Sequence, residues 1–128
     1  MVIYMKKPRR LLIDDCRNEC DLRMRFNVIA RDYWEGVKCL FFYGYWDEVY
    51  LDHDLESFEK PGDASTEKTG YDIIKQLELS LHDAMDQYPG MSKQDVMERK
   101  GMPKKIVCVS SNPAGRANIE AVVKRMYG

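Results

Sequence analysis

In the stretch Arg10-Leu11-Leu12-Ile13-Asp14-Asp15, an apolar run ends abruptly at two carboxylates. A second stretch repeats the pattern: Val49-Tyr50-Leu51-Asp52-His53-Asp54. Short apolar runs of this kind are typical of strands buried in a parallel sheet. Because parallel sheets gather their ligand-binding groups at the carboxyl ends of the strands, the two stretches predict both a class of fold and the place of a site.

The composition indicates one globular domain, which we take to be residues 1–128. Of these residues 45% are hydrophobic and 32% charged, and a chain of this length suits a single core. The net charge of −1 argues against general DNA binding, which needs a basic surface. No apolar run approaches the length of a membrane span, and the N-terminus lacks the apolar region of a signal peptide.

The cysteines predict neither a zinc site nor a disulfide framework. No Cys-x-x-Cys pair occurs among Cys16, Cys20, Cys39 and Cys108, so the spacing of zinc ligands is missing. We expect reduced thiols and a cytoplasmic protein.

Hydrophobic patterns predict four strands and three main helices. The strands are expected at 10–13, 27–30, 47–51 and 106–109. The first helix would begin after Asp32, where Glu35 completes a capping box, and end at Gly44. A strand through Phe41-Phe42-Tyr43 is the alternative there. The other two helices would begin after Thr69 and after Asn112-Pro113.

Three segments lack a strong pattern. Residues 16–25 are expected to form a loop with at most one helical turn, and a short helix is expected from Ser92 to Lys100. Residues 55–68 carry Pro, Gly and charges without periodicity, so we predict a long loop. Long loops in compact domains are often functional, and this one follows the second acidic stretch directly, so it is a candidate lid.

Strands that alternate with helices predict an open α/β sheet. Right-handed crossovers would place the first strand beside the third. That arrangement brings together four carboxylates, those of Asp14, Asp15, Asp52 and Asp54. Crowded carboxylates raise each other's pKa, and a hard cation such as Mg²⁺, with Mn²⁺ as a possible substitute, would relieve the repulsion. The simpler alternative is two polar loops that begin with Asp.

Several other residues would lie on the same rim. Asp52 is a candidate nucleophile as well as a metal ligand. His53 is a candidate general acid or base, although strand alternation would turn it away from Asp52 and Asp54. Candidate phosphate-binding groups, each with a plain structural alternative, are Arg17, Thr69, Ser110, Ser111, Asn112, Gly115 and Arg116.

The acidic residues resemble those of receiver domains. Asp14 and Asp15 match the receivers' acid pair, Asp52 matches the phosphoacceptor, and Ser110 or Ser111 matches the hydroxyl residue. The chain differs from ordinary receivers because the lysine of the final strand has no counterpart. A phosphorelay receiver is therefore the lowest-ranked of three hypotheses.

A closer resemblance is to the cyclic-phosphate processing receiver domains of bacteria and phages. Four motifs carry it: Leu12-Ile13-Asp14-Asp15-Cys16-Arg17, Leu51-Asp52-His53-Asp54-Leu55, Thr69-Gly70-Tyr71-Asp72 and Ser110-Ser111-Asn112-Pro113-Ala114-Gly115-Arg116. The family pattern carries a His where this chain has Val109.

This second resemblance implies a flavodoxin-like, receiver-like open sheet of about four parallel strands flanked by helices. It also implies a metal-dependent phosphoesterase whose substrate is a cyclic nucleotide or a 2′,3′-cyclic phosphate at an RNA end. The expected catalytic residues are Asp15, Asp52 and His53. The alternative is a module that binds or sequesters a nucleotide or a protein partner without catalysis.

Overall fold

A computed structural model describes residues 7–128 of the chain. The strands are β1 (Arg10–Ile13), β2 (Val28–Ala30), β3 (Glu48–Leu51), β4 (Ser57–Phe58), β5 (Glu67–Lys68) and β6 (Lys105–Cys108). The helices are α1 (Glu19–Leu22), α2 (Tyr33–Phe42), α3 (Gly70–Gln87), α4 (Lys93–Arg99) and α5 (Pro113–Tyr127). Within residues 7–128, no helix is both long enough and apolar enough to cross a membrane.

Four strands form one parallel sheet in the order β2-β1-β3-β6. Ile13 at the end of β1 lies opposite Leu51 at the end of β3, and Leu51 lies opposite Cys108. The predicted class of fold is confirmed, and so is the adjacency of the first and third long strands. The carboxyl ends of three strands therefore reach the same edge of the sheet in register.

The core lies between the sheet and helices α2, α3 and α5. Alternate strand residues, including Leu11, Ile13, Val49 and Leu51, belong to one buried apolar cluster with residues of α3 and α5. On the opposite face of the sheet, the ring of Phe26 packs edge-on against Tyr50, with their centroids 5.3 Å apart.

Helix α2 confirms the predicted helix and excludes the alternative strand. Asp32 Oδ1 accepts a hydrogen bond from Glu35 N at 2.8 Å, and the turn after the helix uses Gly44 with a φ of 108°. Gly36 weakens the helical pattern in the sequence, yet a Cβ there would lie 2.8 Å from Ile13 Cγ2. The close approach of helix and sheet therefore requires glycine at this position.

The prediction of a structureless loop at 55–68 is wrong. β4 and β5 pair antiparallel inside this segment, and Ser57 lies opposite Lys68. Ser57 Oγ accepts a hydrogen bond from Tyr33 N and donates one to the carbonyl of Leu55, each at 3.0 Å. Two-residue strands are too short to show an alternating pattern. The candidate lid is therefore the exposed tip of this hairpin, between β4 and β5.

The buried carboxylate of Glu78 on α3 forms an ion pair with Arg125 on α5. Its side chain is 6% exposed and accepts hydrogen bonds from Arg125 Nε at 2.9 Å and Arg125 Nη2 at 3.1 Å. Lys75 Nζ donates a third at 2.9 Å. These bonds, chiefly those from Arg125, lower the pKa of Glu78 from 4.5 to about 2.

We predict that Glu78→Gln lowers the free energy of unfolding at pH 7 by about 1–3 kcal/mol, because Arg125 loses a charged partner. The lowered pKa means that the carboxylate stabilises the fold above pH 4.5 and that this contribution is lost as the pH falls toward 2. Urea titrations across this range should therefore show the two proteins converging in acid. Asp86→Asn, an exposed change on the same helix, is the control and should stay close to wild type. Curves of wild type and Glu78→Gln that remain parallel would contradict this account.

Candidate functional site

Asp14 and Asp52 begin the site because each directly follows a strand of the sheet. Asp14 N donates a hydrogen bond to the carbonyl of Ala30 at 3.0 Å, and Asp52 N donates one to the carbonyl of Ile13 at 2.9 Å. These bonds continue the sheet pattern by one residue. The two aspartates are 0% and 5% exposed, so both carboxylates lie below the surface at one edge of the sheet.

The carboxylate of Asp14 shapes the turn that follows β1. Its Oδ1 accepts hydrogen bonds from Cys16 N at 3.0 Å and from Arg17 N at 2.9 Å. Its Oδ2 accepts a hydrogen bond from Arg17 Nη1 at 3.0 Å. All of these donors come from the turn itself, so Asp14 orders the backbone while it holds the Arg17 side chain.

Arg17 lies between the two buried carboxylates. The same Nη1 atom that contacts Asp14 lies 3.5 Å from Asp52 Oδ2. The hydrogen bond that the guanidinium donates to Asp14 is the main reason that the pKa of Arg17 is raised. The guanidinium therefore serves as the countercharge of this pair.

The surroundings of Asp52 disfavour its ionised form despite this countercharge. Burial is the main reason that its pKa is raised, and the charge of Asp14 adds to the effect. Arg17, the backbone amide of His53 and the hydroxyl of Ser110 oppose the shift without cancelling it. A carboxylate held in this way gains from any added cation.

Arg31 supports the site, and the sequence analysis did not single it out. Its Nη1 donates hydrogen bonds to the carbonyl of Arg17 at 2.6 Å and to the carbonyl of Asp14 at 3.3 Å. Its Nη2 donates one to Asn18 Oδ1 at 2.7 Å. Arg31 directly follows β2. A search for polar residues directly after a strand, which identifies the acids after β1 and β3, would therefore also have identified Arg31.

A possible metal centre lies at the start of the same turn. The ligand atoms of Asp14, Asp15 and Cys16 all lie within 4.8 Å of one another. The exposed thiol of Cys16 is a soft donor, which hard cations such as Mg²⁺ do not favour. The donors that remain are carboxylate oxygens, and their chemistry fits Mg²⁺ or Mn²⁺.

The other two predicted metal ligands lie apart from this group. Within residues 7–128, the group that converges around Asp14 includes neither Asp52 nor Asp54. Asp52 faces Asp14 across the guanidinium of Arg17. The side chain of Asp54 contacts His53 and Asn112 instead.

His53 and Asp54 form a second polar group on this rim. His53 Nδ1 and Asp54 Oδ1 are hydrogen-bonded at 2.8 Å, and Asn112 Nδ2 donates to Asp54 Oδ2 at 3.4 Å. The expectation that His53 turns away from Asp54 is therefore wrong. β3 ends at Leu51, so strand alternation does not apply to the residues after it.

The first turn of α5 completes the rim. Ser110 is 2% exposed, and its Oγ accepts a hydrogen bond from Asn112 N at 3.1 Å. Ser111 is exposed. Arg116 pairs with Glu120 at 3.0 Å and also donates to the carbonyl of Ser110 at 3.4 Å. Two residues of this segment contact the residues that follow β3: Ser110 hydrogen-bonds to Asp52, and Asn112 hydrogen-bonds to Asp54.

The start of α3 supports the site through its backbone. Thr69 N donates a hydrogen bond to Asp72 Oδ2 at 2.8 Å, as in a capping box. Gly70 N donates to the carbonyl of His53 at 2.8 Å. A Cβ on Gly70 would lie 1.9 Å from the carbonyl oxygen of Asp52, so only glycine permits this approach. The side chain of Thr69 is engaged with Asp72, and its role toward phosphate stays a prediction.

We predict that Gly115 and His53 are strongly coupled in stability, because a Cβ at Gly115 would lie 2.3 Å from His53 Cγ. In wild type, Gly115→Ala should lower the free energy of unfolding by about 1–3 kcal/mol through overpacking. In a His53→Ala background the ring is gone, so the higher helix propensity of alanine should make the same change neutral or stabilising. A urea double-mutant cycle measures the difference. Equal effects in the two backgrounds would show that the ring does not pack against this helix.

Comparison with known proteins agrees with the geometry. The family model described as Cyclic-phosphate processing Receiver domain matches residues 9–125. Neither a search of curated proteins nor a search of solved structures gave a match. The match covers every strand and the helices through nearly all of α5. The chain belongs to the family of cyclic-phosphate processing receiver domains.

Proposed function

We propose that this protein is a metal-dependent phosphoesterase that opens a cyclic phosphate in a nucleotide or at an RNA 2′,3′-cyclic end. The observation that supports it best is the convergence on one rim of two buried carboxylates, a guanidinium and a His–Asp pair. Phosphate chemistry needs positive charge beside a proton donor. The family supplies the substrate class, and the rim supplies groups suited to it.

Asp14 and Asp15 are the residues that would hold the metal, with Asp52, which faces Asp14 across Arg17, as a further oxygen donor. Bound Mg²⁺, or Mn²⁺ in its place, would polarise a phosphate oxygen and lower the pKa of a water molecule. Asp15 and Asp52 are also our candidate catalytic carboxylates. The raised pKa of Asp52 suits a group that exchanges a proton during a reaction.

The proposed phosphate-binding residues are Arg17, Ser111, Asn112 and Arg116. Ser110, Gly115 and Thr69 are further candidates for this role. Arginine binds phosphate oxygens through two parallel hydrogen bonds. α5 contains 15 residues and begins at Pro113, and the positive end of its dipole favours an anion near the first turn.

His53 is the proposed proton donor to the leaving oxygen. Asp54 accepts a hydrogen bond from Nδ1 in our assignment, which holds the ring and leaves Nε2 for exchange.

The test is to incubate the purified protein with cyclic mononucleotides, cyclic dinucleotides and RNA that ends in a 2′,3′-cyclic phosphate. Assays with Mg²⁺, with Mn²⁺ and with EDTA reveal metal dependence. We expect metal-dependent opening of one substrate class. His53→Ala should slow it by about 100-fold or more, the range of general acid–base catalysis. His82→Ala is the matched control, because His82 is exposed on α3. Lack of turnover of every substrate would refute the enzymatic proposal.

A second candidate function is binding of a cyclic nucleotide or of a protein partner without cleavage. It is favoured by Val109, which stands where the family pattern carries a histidine. Recovery of intact nucleotide from a denatured complex would support this candidate, and recovery of a ring-opened product would exclude it.

A further inference from the structure

We infer that Arg17 and a divalent cation compete for the carboxylate of Asp14, so that cation binding frees the Arg17 guanidinium for a phosphate. This inference rests on the proposed function and adds to it a coupling between two ligands. According to this inference, Arg17 orients Asp14 when no cation is bound, and it binds phosphate when a cation is bound.

The first argument is the position of the guanidinium. Arg17 Nη1 lies 3.0 Å from Asp14 Oδ2 and 3.5 Å from Asp52 Oδ2. The side chains of the two aspartates are 0% and 6% exposed, whereas that of Arg17 is 24% exposed. Buried carboxylates need a countercharge, and the side chain that provides it here is partly open to solvent.

The second argument concerns the oxygens that a cation could use. Asp14 Oδ1 already accepts two backbone hydrogen bonds, from Cys16 and Arg17. Oδ2 is the oxygen that the guanidinium contacts. A cation held jointly by Asp14 and Asp15 would therefore approach the oxygen that Arg17 occupies, and two positive charges at such a distance repel each other.

The third argument is that the backbone of Arg17 is fixed independently of its side chain. Its N donates a hydrogen bond to Asp14 Oδ1 at 2.9 Å, and its carbonyl accepts one from Arg31 Nη1 at 2.6 Å. The side chain can thus leave Asp14 and Asp52 while the turn keeps its shape. A freed guanidinium beside the rim has the planar geometry that binds phosphate through two hydrogen bonds.

The experiment is a calorimetric titration of Mn²⁺ into the full chain, with and without inorganic phosphate. In wild type, phosphate should tighten Mn²⁺ binding, because each ligand favours the state in which Arg17 is released. In Arg17→Gln, Mn²⁺ alone should bind about tenfold tighter, within the usual range of coupling between sites. Added phosphate should no longer tighten it.

Two further variants serve as controls. Arg25→Gln removes the same charge from an exposed position and should behave as wild type. Arg17→Lys keeps the charge but not the planar fork, so Mn²⁺ alone should bind it with an affinity between those of wild type and Arg17→Gln. It also tests the inference if Arg17→Gln fails to fold.

The outcomes separate this inference from the proposed function. If wild type binds Mn²⁺ and Arg17→Gln binds it no tighter, the competition is overturned while the metal site stands. If wild type and every variant fail to bind Mn²⁺ with or without phosphate, the metal site of the proposed function fails and the competition fails with it.

Discussion

Two buried carboxylates face each other across the Arg17 guanidinium at the ends of neighbouring parallel strands, and this pair constrains the structure around it. The sheet places Asp14 and Asp52 together through backbone hydrogen bonds that extend β1 and β3. Burial and mutual repulsion disfavour two ionised groups at such a place. Arg17 offsets this repulsion, and Arg31 holds the turn that presents Arg17. The turn after β1 is therefore ordered by the charges that it must balance.

Two helices also begin close to the end of β3. α3 starts at Gly70, whose amide bonds to His53, and α5 starts beside the ring of His53 at Gly115. Glycine at both positions lets the helices approach a strand end that is already crowded. The positive ends of these helices then face the acidic edge of the sheet. Packing and electrostatics thus favour the same arrangement, which leaves a polar rim at this edge of the sheet.

The sequence predicted the class of fold and the adjacency of β1 and β3, because both strands are short apolar runs that end at polar residues. It did not predict the hairpin of β4 and β5, since two residues carry no periodic signal. It placed His53 away from Asp54, because strand alternation was extended past Leu51, where the strand ends. It grouped Asp54 with the other acids, whereas the structure turns its side chain to His53 and Asn112. The adjacency of β1 and β3 could be predicted from the sequence, but the directions of loop side chains depend on contacts between distant segments.

Burial and the charge of Asp14 raise the pKa of Asp52, so the ionised form of this carboxyl costs the fold stability, and Asp52→Asn tests this most directly. A raised folded-state pKa means that the ionised group destabilises the fold at pH values above that pKa and has no such effect in acid, where both states are protonated. Urea unfolding of metal-free protein should therefore show Asp52→Asn gaining stability over wild type as the pH rises from 3 to 7, to become the more stable protein at neutral pH. A variant that is less stable than wild type at pH 7, with a difference that does not change with pH, would contradict the account.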